Sequence, residues 1–119
     1  MSVAEAINLV TKQRLAHKVN FATSFFQRLR GLLGRIAMAE GEGLFIPGCR
    51  SIHTFFMAFP IDVLFLDKNG RVTKSVSGVH PFRVVFGPWN STGVLELPYG
   101  TLNKNQCSIG DKMSLIQKD

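Results

Sequence analysis

Acidic residues are few in this 119-residue chain: eight Asp and Glu stand against fourteen Lys and Arg, for a formal net charge of +6. None lies between Glu5 and Glu40, a stretch that carries Lys12, Arg14, Lys18, Arg28, Arg30 and Arg35. A second acid-free run holds Lys68, Arg71, Lys74 and Arg83. Such an excess attracts anionic partners at long range. No aromatic-and-basic recognition motif accompanies it, however, so a nucleic-acid partner is not expected. Long apolar runs are missing too. The longest, Ile52 to Leu66, is broken by His53, Thr54 and Asp62 and is too short to span a bilayer. The opening Met-Ser-Val-Ala-Glu-Ala puts an acid where a signal peptide needs bases, and no apolar segment of the signal type follows. These absences lead to the expectation of a soluble cytoplasmic protein with no membrane partner. Cysteine is scarce as well: Cys49 and Cys107 are expected as free thiols in a reducing compartment.

What is present points to a folded chain. A hydrophobic fraction of 45%, including ten Phe, excludes intrinsic disorder. The length suits one core, so residues 1–119 are expected to form a single domain. No internal repeat and no low-complexity segment interrupts it.

Local patterns favour short strands. Ala6 to Val10 and Leu15 to Phe21 flank Thr11-Lys12-Gln13 as a first hairpin, although Ala4 to Leu15 can also be drawn as a weak helix. Ser24 with Gln27 forms a capping box, and Phe25, Leu29, Leu32 and Leu33 follow at helical spacing, which predicts one short helix near residues 25–33. Beyond Gly43 the expected strands are Leu44 to Ile46, Ser51 to Met57, Ile61 to Asp67, Arg71 to Val79, Gly93 to Leu97 and Lys112 to Gln117. Turn chemistry separates them, most clearly at Asn69-Gly70. The pattern predicts a mainly β, sandwich-like or partly open barrel.

The chemistry-bearing residues gather between Cys49 and Asp67. In an extended Cys49 to Met57 segment, Cys49, Ser51, His53, Phe55 and Met57 share one face. Cys49 and His53 would then lie about 13 Å apart at Cβ, so a thiol–imidazole pair needs a bend such as Pro47-Gly48 could supply. A zinc site drawn from Cys49, His53, His80 and Cys107 lacks the paired spacing such sites use, and no metal or cofactor is expected. Asp62 lies in a strand that is apolar on both faces, so it should be buried and held by a cation or by backbone donors, with an ion pair to Arg30, Arg50 or His53 favoured. Asp67 reads as a turn former, and Glu96, opposite Leu95 and Leu97, as a residue facing solvent.

Six separated motifs occur in order: Arg28 to Arg35, Gly43-Leu44-Phe45, Ile52 to Met57, Pro60 to Asp67, Leu95 to Gly100, and Gly110-Asp111. In these the chain resembles the DUF192 family of uncharacterised proteins, from about residue 6 to residue 117. The resemblance implies a mainly β single domain and carries no activity or functional residues with it. Many relatives look exported, whereas the segment that would direct export is not seen here.

The leading functional expectation is a non-catalytic β module that binds a small anionic ligand or a protein partner near the Cys49–Met57 strand. Arg30, Arg35, Cys49, Arg50, His53 and Asp62 are its candidate residues. The alternatives are a small hydrolase or transferase using Cys49 or Ser51 with His53 and Asp62, and a nucleic-acid accessory protein.

Overall fold

A computed structural model describes residues 3–22, 37–55 and 57–118. The helix expected near 25–33, with its arginines, lies outside the described residues. Among the described residues there are nine strands: β1 Val3–Asn8, β2 Arg14–Phe21, β3 Glu42–Pro47, β4 Ser51–His53, β5 Ile61–Leu66, β6 Val72–Val79, β7 Val84–Phe86, β8 Gly93–Pro98 and β9 Met113–Lys118. One helical turn among them, α1, spans Thr101–Lys104. None of the helical segments among the described residues is long and apolar enough to cross a membrane.

Seven strands form one sheet in the order β6-β5-β8-β3-β2-β1-β9. Every neighbouring pair is antiparallel except β2 and β3. The sheet curls until its two edge strands approach. Arg71 bridges to Lys112, Met113 N–H donates to Gly70 O at 2.8 Å, and Val72 N–H donates to Asp111 O at 2.9 Å. These bonds cover edges that would otherwise present unpaired backbone groups. The mainly β, partly open barrel expected from the strand spacing is what forms.

The curl gives the sheet two apolar faces. Inside lie Ala4, Ala6, Leu15, Val19, Leu64, Leu95, Leu97 and Met113, contributed by strands out to both edges. Outside, Leu44, Ile61, Val63, Phe65 and Val94 pack beneath a second layer made by the two-stranded sheet β4-β7, which contributes Ile52 and Val85. With both faces covered, β5 and β8 are buried at every residue. This explains why Ile61 to Leu66 reads as an unbroken apolar run apart from Asp62.

Several boundaries depart from the sequence reading. The β1–β2 hairpin forms, and the helical alternative for Ala4 to Leu15 does not. β4 stops at His53, because Thr54 O accepts the Met57 N–H at 3.2 Å and the chain turns. β7 and α1 were not anticipated: three apolar residues and one helical turn are too short to leave a periodic signal. The β5–β6 turn is anchored by Asp67, whose carboxylate accepts the N–H groups of Asn69 at 2.8 Å and Arg71 at 3.0 Å. Gly70 alone takes the left-handed conformation there (φ 81°). Glu96 is not at the surface. Alternation does turn it away from Leu95 and Leu97, but the opposite face is also covered, and it is fully buried.

Candidate functional site

Asp62 enters from β5 on the inner face of the sheet, in step with Leu64 and Leu66, and is fully buried. Its Oδ1 accepts the Gly78 N–H at 2.9 Å and a longer bond from Ser77 Oγ at 3.4 Å. Its Oδ2 accepts the N–H groups of Gly100 at 3.1 Å and Leu102 at 2.9 Å. The favoured ion pair is not formed by Arg50 or His53, and Arg30 lies outside the described residues. Among the described residues no cation lies within pairing distance of Asp62, and backbone amides stabilise the carboxylate instead. The amides reach it because Gly78 and Gly100 take positive φ (70° and 97°). A side chain at Gly78 would strike the Tyr99 ring, 2.9 Å from the place of its Cβ.

The segment that Asp62 tethers forms one wall of an open cleft of about 610 Å³. Tyr99, Thr101, Lys104 and Asn105 line that wall; Arg14 and His17 of β2 line another, and Met38, Glu40 and Gly41 a third. The His17 ring lies over Gly41, which has φ 84°. Two lining cations are already paired, Arg14 with Glu5 of β1 at 3.2 Å and Lys104 with Glu40 across the cleft at 3.7 Å, the second between side chains that are mostly exposed. Exposed pairs of this kind contribute at most about 1 kcal/mol, so an entering anion can displace them. The cleft shares no lining residue with the Cys49–Met57 segment.

The other anticipated residues sit elsewhere. Cys49 and His53 belong to the outer layer, on the opposite side of the sheet from Asp62. The Cys49 thiol donates to Ser51 O at 2.7 Å, and the half-buried His53 ring lies 5.2 Å from Phe55 at a tilt of 31°. Arg50 is exposed and reaches Trp89 O at 3.5 Å. Arg30 and Arg35 lie outside the described residues. A relay of Cys49 or Ser51 with His53 and Asp62 is thus not assembled. Cys107 packs against the inner core while Cys49 packs against the outer one, so the two cannot bond and the four-residue zinc grouping cannot close.

A second polar cluster escaped the sequence reading. Asn8, fully buried at the end of β1, donates from Nδ2 to Asp111 Oδ2 at 3.0 Å and to Cys107 Sγ at 3.7 Å. Its Oδ1 accepts the N–H groups of Val10 and Thr11. Burial pushes the Cys107 thiol up, the bond from Asn8 works against that, and the Asp111 charge adds to it. The bonds from Asn8 and from Ser108 N–H hold Asp111 below the ordinary carboxylate range. The cluster knots the β1–β2 turn to the loop before β9; it forms no cavity wall of the cleft. Asn8, His17 and Lys104 carried no sequence signal, and Tyr99 stood out only as part of the Leu95 to Gly100 motif, since each acquires its role from residues distant in the chain.

Residues 7–115 match the DUF192 family model, described as an uncharacterized ACR. A UPF0127 protein of Pyrococcus horikoshii is 34% identical over 99 residues, covering 81% of this chain and 85% of its own length. A UPF0127 protein of Thermococcus sibiricus is 30% identical over 100 residues, and there the match spans 81% of this chain but 64% of the relative, under two-thirds of its length. A crystal structure of a protein of unknown function from Novosphingobium aromaticivorans superposes with a TM-score of 0.80, covering 95% of this chain and 84% of the other. At 18% identity that likeness speaks to the fold alone.

Proposed function

The chain belongs to the DUF192 family of uncharacterised proteins, and from that premise we propose that it is a non-catalytic β module that binds a small anionic ligand in the cleft beside Asp62. One observation supports this reading above the others. Arg14 and His17 of β2 stand across the cleft from Lys104, whose wall is tethered by the buried Asp62 carboxylate, so the groups that would meet an anion are held in place before it binds. Tyr99 and Thr101 add an aromatic face and a hydroxyl. The expected site by the Cys49–Met57 strand moves accordingly to the opposite side of the sheet.

Isothermal titration with inorganic phosphate, sulfate and citrate tests the proposal. A saturable heat that weakens at least tenfold in both Lys104→Ala and Arg14→Ala is the expected outcome. No saturable heat with any of the three anions, or binding untouched by both substitutions, overturns it.

A further inference from the structure

The outer face of the β4–β7 layer has no role in the cleft, and its composition is unusual. Alternation in the two strands sends Ile52 and Val85 into the outer core and leaves Ser51, His53, Val84 and Phe86 pointing away from it. In register, Ser51 lies opposite Phe86 and His53 opposite Val84. Around this face stand Phe82, 71% exposed, Phe86, 66%, Trp89, 85%, and Phe55, 44%. Monomeric soluble proteins rarely leave so many large apolar groups together in water without a use for them.

Phe82 is the most telling of these. Its φ is +63°, a left-handed conformation that is costly for a residue with a bulky side chain. The conformation is imposed by Thr54, which is fully buried. Thr54 O accepts the Phe82 N–H at 3.1 Å, Thr54 Oγ1 donates to His80 O at 2.6 Å, and the same oxygen accepts the Arg83 N–H at 2.9 Å. The result is an aromatic ring held out in solvent, where it returns nothing to the core. Strain of this kind, held by surrounding structure, points to function rather than to folding.

Charge narrows the occupant. Residues 43–61 and 68–95, which supply the layer and its flanks among the described residues, contain no Asp or Glu, while Arg50, Lys74 and Arg83 border the aromatic groups. Lys74 Nζ donates to Phe86 O at 2.8 Å, and Arg50 reaches Trp89 O, so two of the cations are held beside aromatic residues. The partner must be an anion with flat apolar faces. Polar Ser51 and His53 alternate with the rings, a mixture that suits hydrogen-bonding bases better than a bilayer, which favours an unbroken apolar tip. We infer that this face docks single-stranded nucleic acid, its aromatic side chains stacking on bases and Arg50, Lys74 and Arg83 following the backbone phosphates. No contiguous motif announces the site, because the fold joins residues 50–55 to residues 74–89.

Trp89 is the only tryptophan, so its fluorescence reports directly on the face. Titration of the full chain with 15-nucleotide oligo(dT) and oligo(U) at low salt should give saturable quenching that weakens as salt rises. Phe86→Ala and Phe82→Gly should each weaken binding fivefold or more, the second without loss of thermal stability because glycine accepts the left-handed backbone. Arg83→Gln should lower the salt dependence by about one phosphate contact. Absence of quenching at low salt overturns the inference. So does equal quenching by dextran sulfate that ignores the Phe82 and Phe86 substitutions, which reduces the effect to bulk charge. Stronger binding to phosphatidylglycerol vesicles than to either oligonucleotide overturns it as well, in favour of a membrane-docking face.

Discussion

Asp62 is a carboxylate fully removed from water whose two oxygens are shared among the amides of Gly78, Gly100 and Leu102. Removing it strands three buried or half-buried donors at once. Unsatisfied groups of this kind cost about 1–3 kcal/mol each, with partial relief from water reaching the loop. Asp62→Ala should therefore lower stability by about 3 kcal/mol in urea unfolding monitored by circular dichroism, and it should release the wall that carries Tyr99 and Lys104. An unchanged midpoint would show that the tether carries no energy. Asp111 makes a prediction of different sign structure. Its folded pKa is depressed, so the unfolded chain binds the extra proton as the medium acidifies. The stabilisation from this group is present above the ordinary carboxylate range and is lost as pH falls through that range towards the folded value. Asp111→Asn should thus flatten the fall of Tm below about pH 4 relative to the parent chain, and a parallel fall in both would contradict the assignment.

Among the elements, the shortest are the least self-sufficient. β4 and β7 pair over three residues each, and Thr54 at the end of β4 does what further strand pairing would otherwise do: its backbone and hydroxyl bind both sides of the 80–83 loop. Thr54→Val keeps the shape and removes the hydroxyl, leaving the Arg83 amide without its acceptor. The expected cost is about 1–3 kcal/mol, accompanied by faster hydrogen exchange at Arg83 and no change in the β5–β8 amides. Exchange that accelerates uniformly would instead indicate global destabilisation. These elements also mark where sequence reading succeeds and fails. The β5–β6 hairpin was legible because its signal is local, with Asp67 and Gly70 supplying an acceptor and a left-handed residue within four positions. The burial of Asp62 was legible from the apolar residues around it, while the identity of its donors was not, since Gly100 and Leu102 approach from about forty positions away. β7, α1 and the role of Thr54 are invisible locally because tertiary partners create them. Glu96 was misread because alternation tells which face a residue takes and not whether that face is covered.

At the scale of the whole molecule, one curled sheet separates two surfaces. β2, the Asp62-tethered segment and Met38 of the outer core set up the cleft, and the outer core also supports the β4–β7 layer. Such a division explains why residues that lie close in sequence, Cys49, His53 and Asp62, end on opposite sides: β5 faces both ways, and one step along it crosses the sheet. The central claim is that a small inorganic anion is held in the cleft and not on the Cys49–His53 side, where binding requires stacking on the aromatic rings, and chemical-shift mapping of the uniformly 15N-labelled protein during a phosphate titration tests it most directly. Saturable shifts at the amides of His17, Gly41, Thr101 and Lys104, with those of Ser51, His53, Val84 and Phe86 unmoved, are predicted. Shifts confined to the β4 and β7 residues, or none that saturates, would contradict it.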